Sequence, residues 1–286
     1  MLVLGALLLL AVGGGAGRSR AGRTSVVAAF FPLAEAARQV GGGHVDVSNL
    51  TPPGVEPHDL ELTTDDVDAI LDADLAIALG GGFQPAVEAS ADDRDGPTLV
   101  VLDEIGHRRR RNDPHVWLDP VRYRAIVRSV AQALVTADPK HARTYREGAA
   151  RYEARLTALD QEYAQGLATC ASRTIVTAHE AFGWLADRYQ LHQLGVTGID
   201  PEREPNPDRI AELADLARTR GVTTIFTEEL VSPRVARTLA REAGGLRTAV
   251  LDPLEGLTEQ RRAAGDDYVT VMQRNLRRLR AALRCR

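Results

Sequence analysis

Alternation of short strands with helices limits the fold of this 286-residue chain more than any other feature. β-Branched runs at 25–28, 45–50, 75–79 and 98–102 are followed by a second group at 174–177, 191–196, 223–226 and 248–251, with helical patterns between most of them. A parallel neighbour is reached only by a crossover, so this rhythm builds β-α-β units. Eight strands in two sets of four imply two α/β lobes. The chain is long enough for each lobe to bury its own core.

Between the two sets lies an unusually long helical stretch. Asp119-Pro120 pairs an N-cap with proline at the first helical position and starts a helix to about residue 136. Asp138-Pro139 repeats the signal, and the next breaker comes near 166–170. Tyr145, Ala149, Tyr152, Leu156 and Leu159 follow at three- and four-residue spacing, so one apolar stripe runs along the second helix. At about 1.5 Å per residue, a helix over 139–168 would reach about 45 Å, enough to run behind both lobes. Further helices are expected at 207–220, at 232–244 with Ser232 as cap, and at 258–283. The implied division is an export-like segment at 1–23, a first lobe at 24–138, a linking helix at 139–168 and a second lobe at 169–286.

Residues 2–12 are an eleven-residue apolar run, too short to span a bilayer, followed by the small residues 13–17. This reads as the apolar and cleavage regions of an export signal, although no basic residue precedes it. No cysteine lies there, so attachment of a lipid to an N-terminal cysteine is not expected. Thirty-five basic against 39 acidic residues leave a net charge of −4, which argues against a dedicated nucleic-acid binder. Arg108–Arg111 reads as a solvated loop. The two cysteines, Cys170 and Cys285, cannot make a four-thiolate zinc site, so any metal must be held by histidine and carboxylate.

In open α/β sheets, ligands gather in the loops just beyond the carboxyl ends of the strands. That rule sorts the seven histidines. His58 follows the second strand in a loop stiffened by Pro52, Pro53 and Pro57; His115 follows the fourth; His179 immediately follows the fifth. Asp252 directly follows the eighth. Three neutral imidazoles and one carboxylate suit Zn²⁺, whereas Mn²⁺ prefers more oxygen. His44, His107, His141 and His192 lie before a strand, beside the arginine run, in a helix and at a strand start, and read as ordinary polar histidines. Strand-end position alone leaves a metal site and plain polar loops both open, and Asp252 before Pro253 could simply start a turn. Glu228 and Glu229 also follow a strand end, either as partners or substitutes of the ligands or as a surface pair. Trp117 and Trp184 read as core.

The strings Pro57-His58-Asp59-Leu60-Glu61, Asp113-Pro114-His115-Val116-Trp117-Leu118-Asp119-Pro120, His179-Glu180-Ala181-Phe182-Gly183-Trp184, Phe226-Thr227-Glu228-Glu229 and Leu251-Asp252-Pro253-Leu254 resemble the solute-binding proteins of bacterial zinc and manganese ABC importers, the zinc-uptake branch in particular. The resemblance runs from about Thr24 onward, in order. It implies two (β/α)4 lobes, each with a four-stranded mainly parallel sheet, joined by a rigid backbone helix with the metal in the cleft between them. It further implies zinc ligation by His58, His115 and His179, with Asp252 as the fourth ligand, and extracytoplasmic capture of Zn²⁺ by a monomer for a membrane permease. Manganese-selective members are similar but carry Glu at the third position, so His179 favours zinc and Mn²⁺ is the alternative cargo. Zinc members often have a long His-rich loop between the first two ligands; here 88–113 is short and holds only His107.

An exported zinc hydrolase, with Glu180 or Glu228 as base, is a competing reading, but no HExxH helix is present, and no enzymatic activity is expected. A surface adhesin in which metal is merely structural is another. The stiff linking helix predicts that metal binding rearranges ligand loops, notably around His179 and Asp252, instead of swinging the lobes. Read against the two-lobe layout, Cys170 stands just before the first strand of the second lobe and Cys285 at the end of its last helix. In an oxidising compartment they can pair.

Overall fold

The computed structural model describes residues 22–105, 113–203 and 205–286. The export-like run, His107 and Arg108–Arg111 lie outside the described residues. All eight expected strands form. β1 (Thr24–Ala28), β2 (Val45–Asn49), β3 (Leu75–Ala78) and β4 (Thr98–Val100) make one sheet in the order β2-β1-β3-β4. β5 (Thr174–Thr177), β6 (His192–Gly195), β7 (Thr224–Thr227) and β8 (Arg247–Val250) make a second in the order β6-β5-β7-β8. Every pairing is parallel. The central strands β3 and β7 are buried along their whole length, as parallel sheets covered by helices on both faces require.

Helices α1 (Phe31–Gly41), α2 (Thr64–Asp72), α3 (Pro85–Asp92) and the short α4 (Val101–Ile105) serve the first sheet. Between the sheets run α5 (Pro120–Ala137) and α6 (Ala142–Gly166). The second sheet has α7 (Gly183–Tyr189), α8 (Pro207–Thr219), α9 (Arg234–Glu242), α10 (Glu259–Ala263) and α11 (Tyr268–Leu283). Asp119 caps α5 as expected, accepting from the Val121 N–H at 2.8 Å. None of the helices among the described residues is long and apolar enough to cross a membrane.

Three helix expectations need correction. Asp138 does not cap the linking helix: a single 3-10 turn, Pro139–His141, intervenes, and α6 has 25 residues, about 37 Å at 1.5 Å each. Ser232 is not a cap either, because Pro233 takes that position and α9 begins one residue later. The expected helix over 258–283 is broken at Gly265, whose φ of +79° suits only glycine, and α11 restarts with Asp267 and Thr270 capping each other.

The apolar stripe of α6 is as predicted: Tyr145, Ala149, Tyr152, Leu156 and Leu159 are all buried. α6 packs closely on the end of α1, where a side chain at Gly148 would collide with the Val40 carbonyl. Tyr163 Oη donates to the Met272 carbonyl at 2.7 Å and so binds α6 to α11. One apolar core therefore runs from Val26 in the first sheet through α5, α6 and α11 to Phe226 and Leu251 in the second. A smaller cluster around Leu213, Ile225 and Leu239 fills the outer side of the second lobe. Cys170 and Cys285 form a disulfide that fastens the end of α11 to the chain leading into β5.

Asp138 has a different task from capping. Its Oδ2 accepts from Thr24 Oγ1 at 3.0 Å and Tyr145 Oη at 2.7 Å, and lies 2.6 Å from His141 Nδ1. Burial alone would raise its pKa, but the bonds from Tyr145, His141 and Thr24 outweigh it and hold the carboxyl at about 2 against an ordinary 3.8. The folded value is depressed, so the stabilisation is full above about pH 4 and is lost as pH falls toward 2. Asp138→Ala is expected to cost about 2–3 kcal/mol near neutrality by stranding buried hydroxyls. Urea titrations should show the gap to the wild type closing between about pH 5 and pH 2.

Candidate metal centre

The loops beyond the carboxyl ends of both sheets meet, and three of the four predicted residues come together there. His58 sits on a 3-10 turn, Pro57–Asp59, after β2; Glu56 Oε2 accepts its backbone N–H at 3.0 Å. The loop is fixed at its base by Thr51 Oγ1 donating to the Ala29 carbonyl at 2.8 Å, and on the far side by Gly54 N donating to the Leu257 carbonyl at 3.1 Å. His115 precedes the 3-10 turn Val116–Leu118, and Asp113 Oδ1 accepts both its backbone N–H at 3.1 Å and its ring Nδ1 at 2.9 Å. His179 leaves β5, and Glu228 takes its backbone N–H at 3.2 Å and its Nδ1 at 2.8 Å. Glu228, one of the two strand-end acids, thus orients a histidine. Glu229 instead pairs with Arg261.

Asp252 does not join them; Glu255 does. Oε1 of Glu255 lies 3.0 Å from His115 Nε2, 3.3 Å from His179 Nε2 and 3.4 Å from His58 Nε2. The two Nε2 atoms of His115 and His179 are 3.3 Å apart, and the ligand atoms of all four residues fall within 4.8 Å of one another. Asp252 turns its carboxylate away: Oδ1 accepts from Leu254 N at 2.8 Å and Oδ2 from Arg261 at 3.1 Å. Burial raises its pKa to about 6 despite those bonds. Its role is to shape the turn. Leu254 adopts φ +59°, a left-handed conformation costly for leucine, and this reversal carries the chain so that Glu255 enters the cleft. Asn275 on α11 exchanges two bonds with the Asp252 backbone, at 3.0 and 2.7 Å, and holds the turn in place.

Both tryptophans are core, as expected, but each also bonds across the lobes. Trp117 Nε1, from the first lobe, donates to the Pro253 carbonyl at 2.8 Å in the Glu255 turn. Trp184 Nε1, from α7, donates to the Asp113 carbonyl at 2.9 Å, next to His115. The remaining described histidines lie elsewhere: His44 stacks on His141 with ring centroids 4.1 Å apart, and His192 begins β6.

With Asp113 and Glu228 accepting the Nδ1 protons, an Nε2 atom of His115 or His179 that carries no proton would point its lone pair at a buried carboxylate. Lone pairs facing a carboxylate repel unless a positive charge lies between them. Burial would lower the pKa of both rings, but Asp113 and Glu255 around His115, and Glu228 and Glu255 around His179, raise both above 6.5. Glu255, despite its burial, is held well below the ordinary carboxylate range by His179, His115 and His58. Burial and the neighbouring Glu255 push Glu56 up to about 9. Among the described residues, Glu255 Oε2, Glu56 Oε1 and His58 Nε2 are buried with no hydrogen-bond partner. Four ligand atoms around a Zn²⁺ ion at about 2.0–2.1 Å lie about 3.3 Å apart along the edges of a tetrahedron. Four of the six spacings, at 3.0–3.4 Å, match such an edge, and the two from His58 to the other histidines fall within 4.8 Å.

The profile of the family described as ZnuA, zinc-uptake complex component A, periplasmic, matches residues 26–282. The chain is 34% identical over 280 residues to the zinc-binding lipoprotein AdcA of Streptococcus pneumoniae, with 91% of this chain and 56% of that protein covered. It is 33% identical over 293 residues to the high-affinity zinc uptake system protein ZnuA of Bacillus subtilis, with 94% and 90% covered. The Zn(II)-bound ZnuA-like domain of pneumococcal AdcA superposes with a TM-score of 0.80 at 34% identity, covering 92% of this chain and 99% of that one. The chain spans about half the length (56%) of the streptococcal relatives. One of those relatives is itself named a lipoprotein, so the expectation of no lipid anchor is not supported.

Trp117→Phe keeps an aromatic ring but is smaller and leaves the Pro253 carbonyl without its donor, and the cavity and the unpaired acceptor together are expected to cost about 2–4 kcal/mol in denaturant unfolding. An unchanged unfolding midpoint would show that this inter-lobe bond carries no stability.

Proposed function

The chain belongs to the ZnuA family, and from that membership we propose that it captures Zn²⁺ outside the cytoplasm and delivers it, as a monomer, to a membrane ABC permease. The family is one of transport components, not enzymes. One observation carries the choice of ligands: the three Nε2 atoms of His58, His115 and His179 lie within 3.0–3.4 Å of a single Glu255 oxygen. Three imidazole nitrogens and one carboxylate suit zinc better than manganese, which prefers oxygen. A bound divalent ion keeps a net charge of about +1 with this set, modest enough for a cleft between two lobes.

The ligands are held before the metal arrives. Asp113 and Glu228 fix the ring orientation and tautomer of His115 and His179, which raises the basicity of the binding nitrogens. The continuous core and the two tryptophan bonds across the cleft leave little freedom for a wide swing of the lobes, so exchange of the ion is assigned to local motion of ligand loops.

Calorimetric titration of metal-stripped protein should give one Zn²⁺ per chain, with zinc displacing manganese in competition. Glu255→Ala is expected to weaken zinc binding by about 100-fold or more, since it removes a ligand. Asp252→Asn should cost less than Glu255→Ala, because it touches only the supporting turn; the reverse order would return the fourth position to Asp252. Zinc must displace protons from His115 and His179, whose pKa values are raised, so binding should release protons and weaken as pH falls below neutrality. Equal zinc affinity at about pH 5 and pH 7.5 would contradict a histidine-bound ion.

A further inference from the structure

We propose that the metal enters and leaves beside His58, and that His58 is the last ligand to close on it and the first to let go. This rests on the metal-capture reading above and adds a route and an order of events. The four ligand side chains are not equally held. The side chains of His115 and His179 are 0% exposed and that of Glu255 is 1%, whereas that of His58 is 12% exposed. The rings of His115 and His179 each give their Nδ1 to a carboxylate, so rotating either breaks a charge-assisted bond as well as the bond to the metal. Among the described residues His58 has no such partner on its ring: Glu56 holds only its backbone, and its ring rests edge-on against Phe83 with centroids 4.5 Å apart. Turning the His58 ring loses the metal bond and one aromatic contact.

His58 also lines the opening. A cavity of about 250 Å³ borders it, walled by Gly81, Gly82, Phe83, Pro114 and Ile199. After β3 the wall begins with Gly81 and Gly82, at φ +72° and +78°, before Phe83; a side chain at Gly81 would press on Leu102, but one at Gly82 would meet nothing within 4 Å. Space for an ion and its departing water therefore exists on this side. The opposite side is closed by the Glu255 turn, bonded to Trp117 and Asn275, and Gly256 packs beneath Leu230 and the Val55 carbonyl.

The test is stopped-flow association and dissociation of zinc on the full chain, read with a chromophoric chelator. Ile199→Trp, which narrows the opening without touching a ligand, should slow association and dissociation together by at least threefold and leave the dissociation constant unchanged. His58→Ala should lose zinc at least tenfold faster than the wild type, and added imidazole should slow that loss by occupying the vacated position. His115→Ala and His179→Ala should not respond to imidazole, because their positions are sealed from this opening. Unaltered rates in Ile199→Trp, or imidazole rescue of His115→Ala or His179→Ala equal to that of His58→Ala, or no rescue of His58→Ala, would overturn the route. A wild-type chain that takes up no zinc in the same assay would instead overturn the metal-capture reading itself.

Discussion

Everything in the cleft depends on one repulsion. A carboxylate with an exposure of 1% is surrounded by three imidazole nitrogens, and two of those rings already give Nδ1–H to other carboxylates, so their Nε2 atoms can face it only with a proton or another cation between. In water such a group would scatter; here the surrounding bonds do not let it. The protein spends folding stability to keep four electron-rich atoms together, and a cation recovers it when it binds. Protons can fill that role partly, which is why the imidazoles are basic in the metal-free protein. A divalent ion fills it fully.

The two lobes share the work of holding this arrangement. Each lobe supplies two of the four clustered side chains, and each supplies a tryptophan whose N–H reaches the backbone near one from the other. Tyr268 Oη, on α11, donates to the Trp117 carbonyl at 2.6 Å, so the bond from Trp117 to the Glu255 turn is itself braced from the second lobe. His115 and Glu255 therefore cannot separate without breaking bonds on both sides of the cleft.

Much of the fold was legible because its signals are periodic. Eight β-branched runs, a proline-led α5 and the stripe on α6 all follow from spacing, and each reappears in the structure. The errors came where a single residue decides a boundary. Asp138 has the side chain of a cap but is drawn to Thr24, distant in sequence, and to Tyr145, seven residues on, and these bonds win over local preference. At the site, strand-end position picked out three histidines that the structure brings together. It failed for the acid, since Asp252 and Glu255 both follow β8 and only the left-handed Leu254 decides which one turns inward. Glycine or asparagine there would have signalled the reversal; leucine does not. The orienting role of Glu228 was one of the readings open at its strand end, and that of Asp113 could not be separated from the histidine motif that contains it.

The core that crosses from Val26 to Leu251 has a consequence for how the molecule comes apart. Lobes with private cores can melt one at a time, but here α5, α6 and α11 belong to both, and the disulfide ties α11 to the start of the second sheet. Losing the shared helices therefore takes the first sheet and the inner side of the second together, and only the outer cluster around Leu213, Ile225 and Leu239 belongs to one lobe. A ligand that binds only the folded cluster would then stabilise the shared core as a whole, so the strength of binding at four side chains would set how often that core opens.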